Sequence, residues 1–128
     1  MPGKVVDASV LGAVAFQEPR FAEAVALLQG AELYAPTLLA YELASIARKK
    51  VLLNPPSAQE LVVNLEDALA MDIRWIEVNH RGVVELALAT GLNICDASYL
   101  YLARTLGLPL VTFDARLQAT ERGYEKSS

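Results

Sequence analysis

The sequence predicts a three-layer α/β domain around a short central parallel sheet. Short strands alternate with helices along the whole chain, which implies a sheet of parallel strands covered on both faces, and "LVTF" near the end reads as a fully buried strand. The chain has 128 residues, of which 54% are hydrophobic and 20% charged. That length suits one domain, and that composition supplies enough apolar surface to offset the entropy lost on folding.

Taken in order, Lys4 to Val6 is a β-branched run ending at Asp7, and Val10 to Leu28 carries apolar positions at helical spacing. The interruption at "QEPR" divides that stretch, with Pro19 opening a second helix. "ELYAP" is a second strand, and Thr37 caps a helix that runs to about Lys50, where "NPPS" stops it. Ser57 and Glu60 form a capping-box pattern at the head of a helix lasting to about Met71. "RWIEV" supplies a third strand, and the following helix ends at Gly91. Asp96 to Leu106 is helical, Gly107 and Pro109 break it, "LVTF" follows, and Asp114 caps a last helix that fades near Gly123. Residues 123–128 are expected to be a loose tail.

Bulk properties exclude several classes. No apolar run approaches the roughly 20 residues of a membrane helix, and "MPGKVVDAS" lacks the apolar segment of a signal peptide, so a cytoplasmic protein with no membrane partner is expected. Cys95 is the one cysteine; it has no disulfide or CxxC partner and reads as a small buried hydrophobe beside Asp96. The net charge of -4 argues at face value against binding nucleic acid. Neutralising four of the 15 acids would leave them balanced against the 11 bases, so the objection is weak.

Four acids sit in apolar surroundings: Asp7 in "KVVDAS", Glu42 in "LLAYELASI", Asp96 in "ICDASYLYLA" and Asp114 in "LVTFDAR". Asp7 and Asp114 each directly follow a strand, where ligands of parallel sheets gather. Helical spacing puts Glu42 among Leu38, Leu39 and Ile46, and Asp96 on a face with Tyr99, Leu100 and Ala103. Structural duties are open to three of them: Asp7 could close a turn, and Asp96 and Asp114 could cap helices. Glu42 in mid-helix caps nothing, though Lys49 on the same face could pair with it. For all four together a shared divalent cation is the simplest remedy for mutual repulsion, and an all-oxygen site points to Mg2+ or Mn2+. Such an ion near a phosphodiester is the logic of metal-dependent nucleases. His80 reads as exposed, at a helix start.

The four stretches "VVDASV", "YELASIARK", "CDASYLYLA" and "LVTFDARL", in this order and spacing, resemble the PIN-domain family, in particular the VapC-like toxin ribonucleases of prokaryotic toxin–antitoxin pairs. The resemblance covers nearly the whole chain. It implies a PIN-like nuclease domain over 1–122, with a sheet of four or five strands, since "ATERGYEKSS" offers no convincing final strand where the family has one. It implies that Asp7, Glu42, Asp96 and Asp114 form an acidic quartet holding one or two Mg2+ or Mn2+ ions. Thr112 matches a hydroxyl position supporting the last carboxylate, and Ser9 assists near the first. The implied activity is endoribonuclease cleavage by metal-activated water, leaving a 5′-phosphate and a 3′-hydroxyl. The implied partners are RNA, a VapB-like antitoxin that presents arginine to the acids, and a second copy of the chain in a homodimer.

Arg48, Lys49 and Lys50 follow Glu42 by two turns and are candidates for guiding an RNA backbone, although the helix dipole favours cations there in any protein. Arg116 is placed either to pair with Asp114 or to touch phosphate. A phosphoacceptor domain would want adjacent acids after the first strand and a late lysine, and neither is present. A non-catalytic PIN-like module would be free to lose acids, and all four remain. There is no GxxxxGK loop, no GxGxxG after a strand and no GxSxG elbow.

Overall fold

The computed structural model describes the backbone of residues 2–127 and the side chains of residues 2–123. Ser128, the end of the expected loose tail, lies outside the described residues. In chain order the elements are β1 (Gly3–Val6), α1 (Ala8–Ala15), α2 (Phe21–Leu28), β2 (Glu32–Pro36), α3 (Leu38–Leu53) and a 3-10 turn at Pro55–Ser57. There follow α4 (Ala58–Leu69), β3 (Ile73–Ile76), α5 (His80–Thr90), α6 (Ile94–Leu106), β4 (Leu110–Val111) and α7 (Ala115–Ser127).

The four strands form one parallel sheet in the order β3-β2-β1-β4, with Val5 opposite both Tyr34 and Leu110. From β1 the chain steps outward to β2 and β3, then returns across the sheet to β4. Because parallel crossovers are right-handed, the outward helices and the returning ones cover opposite faces. The strand order therefore reverses between β1 and β4, and the crevice that opens at such a reversal lies at their carboxyl ends. Val5 and Val6 are fully buried at the centre of the core, with Leu11, Leu39 and Leu43 from the outward helices and Leu100 and Leu102 from α6.

Several element ends differ from those the sequence predicts. α3 continues three residues past Lys50, and neither Thr37 nor Ser57 caps its helix with its side chain. Ser57 instead closes the 3-10 turn, where its hydroxyl accepts from the Asn54 amide at 2.8 Å. Pro19 lies in the turn before α2, and Gln17 takes up a left-handed φ of 49° there, a conformation that suits glycine better. α6 begins two residues before Asp96: Asn93 is the cap, and its side chain accepts the Asp96 N–H at 2.8 Å. Gly91 and Gly107 end α5 and α6 in left-handed conformations, as their positions predict.

No fifth strand forms among the described residues, and the reason lies on α7. Pro109 and Val111 turn their carbonyls to β1, so the backbone groups of Leu110 and Thr112 face the open edge. There the Leu110 N–H donates to Glu121 Oε2 at 2.7 Å, and Gln118 Nε2 donates to the Thr112 carbonyl at 2.6 Å. Two α7 side chains thus satisfy the edge that another strand would otherwise pair. α7 extends past Gly123, since one glycine weakens a helix without ending it. No single helix among the described residues is long and apolar enough to cross a membrane.

Candidate active site

Asp7 stands at the end of β1 and caps α1. Its Oδ1 accepts from the Ser9 N–H at 3.1 Å, the Val10 N–H at 3.2 Å and the Ser9 hydroxyl at 2.7 Å. Its Oδ2 accepts from the Thr112 hydroxyl. The carboxyl is 5% exposed, and burial raises its pKa even though these donors pull the other way.

The two hydroxyls also join β1 to β4. Ser9 Oγ accepts the Phe113 N–H at 2.9 Å, and Thr112 Oγ1 accepts the Asp114 N–H at 3.0 Å. Thr112 thus ties the backbone of the last acid to the side chain of the first. Asp114 itself is exposed and caps α7, with Oδ1 accepting the Leu117 N–H at 2.9 Å.

Asp96 occupies the first turn of α6, half-buried, beside the fully enclosed Tyr99, Leu100 and Ala103. Asn93 has taken the cap, so that alternative duty for Asp96 falls away. Burial raises the Asp96 pKa, and repulsion from Asp114 and Asp7 raises it further, while Arg116 opposes both. Arg116 forms no pair with Asp114: its guanidinium donates to the Gly91 carbonyl at 2.6 Å and acts electrostatically on Asp96.

Glu42 is half-buried on α3, and no ion pair joins it to Lys49, which is exposed. Its Oε1 instead accepts from the Tyr99 hydroxyl. Burial raises the Glu42 pKa, the Tyr99 bond lowers it, and the charges of Asp96 and Asp7 raise it again. Cys95, in the first turn of α6, lies within electrostatic reach of this carboxylate. Contrary to the sequence expectation, Cys95 is exposed, because the first turn of α6 opens to solvent beside the acids. Burial and the neighbouring charges of Glu42 and Asp96 raise its pKa.

The four acids therefore share one patch at the β1–β4 crevice, each within electrostatic reach of another. Among the described residues, no three histidine, cysteine, aspartate or glutamate side chains stand ready-placed to hold one ion. The donor set nonetheless fits a hard divalent cation: it is all oxygen, anionic, and no salt bridge of the described residues neutralises it. Arg48 and Lys49 are exposed on α3, and Lys50 turns away to Glu18, 4.0 Å distant, and to the Phe16 ring. His80 is exposed at the start of α5, outside the patch.

A family model described as PIN domain matches residues 4–123. The chain belongs to the PIN-domain family. Among PIN-domain relatives, it is 32% identical over 118 residues to Ribonuclease VapC3 of Pyrobaculum aerophilum, covering 88% of this chain and 90% of that one. The crystal structure of PAE2754 from Pyrobaculum aerophilum superposes with a TM-score of 0.77 at 27% identity, over 95% of this chain and 87% of the other. The fold is also that of Mycobacterium tuberculosis VapC20, a toxin described as cleaving the sarcin–ricin loop, with a TM-score of 0.71 at 13% identity over 91% and 94% of the two chains.

Sequence reasoning missed Tyr99, Cys95 and Asn93 as parts of this PIN-domain site. One signal for Tyr99 was available. A tyrosine on a buried face needs a partner for its hydroxyl, and Glu42 is an acid lacking one.

Proposed function

We infer that this PIN-domain protein is a VapC-type toxin ribonuclease, an RNA-cleaving hydrolase. The observation that carries the inference is the patch of four carboxylates at the strand-order reversal of a PIN fold, in a chain 32% identical to a VapC ribonuclease.

The finer proposal is that Asp7, Glu42, Asp96 and Asp114 are its catalytic residues and hold Mg2+ or Mn2+. When bound, the ion supplies Lewis acidity towards water and the scissile phosphodiester. Asp7 is fixed by four donors and Glu42 is held by the Tyr99 hydroxyl, with half-buried Asp96 beside them. Ser9 and Thr112 support the site by fixing Asp7 and the backbone of residues 113 and 114. Arg48 and Lys49 are exposed and carry no salt bridge among the described residues, which suits them to meet RNA phosphates by charge alone. Arg116 is committed to Gly91 and Asp96, so its contact with phosphate requires release from that carbonyl.

The proposal includes a cytoplasmic location and a VapB-like antitoxin, whose arginines would pair with the unneutralised acids. It also includes a homodimer, for which Leu52, Leu53, Val62 and Val63 offer exposed apolar surface in the first half of the chain. The test is RNA cleavage by the purified protein with EDTA and with added Mg2+ or Mn2+. Cleavage only with the divalent ion is expected, and cleavage undiminished in EDTA would overturn the metal assignment.

A further inference from the structure

α6 places Cys95 and Tyr99 one turn apart, so both side chains lie along the same side of the helix, with Asp96 in the turn between them. Tyr99 donates its hydroxyl to an acceptor on a different helix, the Glu42 carboxylate of α3. Tyr99 is 1% exposed and its ring is locked in the core, so its hydroxyl has a fixed direction. Glu42 is the opposite case: a long side chain, only half-buried, with Asp7 and Asp96 repelling it. Left alone, such a carboxylate relieves the repulsion by swinging out to water.

We propose that Tyr99 is a positioning residue whose hydroxyl clamps the Glu42 carboxylate so that it faces Asp96. The clamp rests on the nuclease function proposed above, since its purpose is to keep a third carboxylate at the ion site. It couples α3 to α6 through a single acceptor, so Glu42 and Asp96 keep their spacing although they come from different crossovers of the sheet. Tyr99 can impose this restraint because its ring is immobile in the core.

The test is calorimetric titration of Mn2+ into the full-length protein and its variants. Tyr99→Phe removes one hydroxyl and keeps the ring, so the fold should persist, and circular dichroism checks it. Supporting partners of metal ligands typically change affinity by about tenfold or more, so Tyr99→Phe is expected to weaken Mn2+ binding by about tenfold. In a Glu42→Gln background, adding Tyr99→Phe should produce no further weakening, because the acceptor that matters has already lost its charge. Equal Mn2+ affinity in wild type and Tyr99→Phe overturns the clamp and leaves the nuclease function standing. So does an undiminished Tyr99→Phe effect in the Glu42→Gln background. Absence of Mn2+ binding to the wild type overturns the ion site and the clamp together.

Discussion

Replacing Thr112 by valine removes one hydroxyl while keeping the side chain's shape, and the structure fixes what that costs. The hydroxyl is buried, donates to Asp7 Oδ2 and accepts the Asp114 N–H. A hydrogen bond to a charged group contributes about 1.5–3 kcal/mol, and Asp7 lies too deep for water to replace the donor. Asp114 is exposed, so its N–H can turn to water and adds little. The expected loss is about 2–3 kcal/mol. At roughly 2.1 cal/mol/K of unfolding entropy per residue, a chain of this length should lose about 7–11 °C in melting temperature. The assay is thermal unfolding followed by circular dichroism at pH 7.5 in EDTA. Thr112→Ser, which keeps the hydroxyl, should lose less than about half of this. A Thr112→Val protein melting within 2 °C of wild type would refute the argument that this hydroxyl anchors Asp7.

Other expectations follow from the same contacts. Asp7, Glu42 and Asp96 all have raised pKa values in the folded chain. The native state therefore holds protons more tightly than the unfolded one, and metal-free stability should fall as pH rises above the ordinary carboxylate range. Melting in EDTA between pH 5 and pH 7.5 checks this, and a higher melting temperature at pH 7.5 would contradict it. Gln17→Gly should stabilise the protein by about 0.5–1 kcal/mol by relieving its left-handed φ, as denaturant unfolding would show. Glu121→Ala leaves the Leu110 N–H at the open edge without its carboxylate partner and should cost about 1 kcal/mol, with Glu121→Gln milder. Matching denaturation midpoints for Glu121→Ala and wild type would contradict the edge-covering role.

The alternation of strands and helices was legible because periodicity survives any tertiary context, and β2 falls on "ELYAP". Helix starts were harder to read. Asn93 and Asp96 are both good caps three residues apart, and only the packing of α6 decides that the first one serves. Thr37 and Ser57 carry the same local signal and cap nothing with their side chains. The missing fifth strand was visible as an absence of apolar residues, but its replacement by Gln118 and Glu121 depends on where α7 lies.

The inward facing of Asp7, Glu42 and Asp96 was legible, since apolar neighbours along a helix or at a strand end turn a carboxylate inward, whereas Asp114 is exposed and caps α7. Its internal connections were not. Lys49 was the partner suggested by spacing along α3, whereas Tyr99, 57 residues away, is the partner the fold supplies. Cys95 was misjudged because apolar neighbours in sequence do not reveal that the first turn of α6 opens to solvent.

The most direct test is the RNA cleavage rate of Asp96→Asn at saturating Mg2+. Asp96 has no capping duty, so neutralising it should leave stability in EDTA unchanged or higher by about 0.5–2 kcal/mol, as with other strained functional groups. The expected rate is lower than wild type by about 100-fold or more. A well-folded Asp96→Asn protein that cleaves RNA at the wild-type rate would contradict the assignment of this carboxylate patch as the catalytic site.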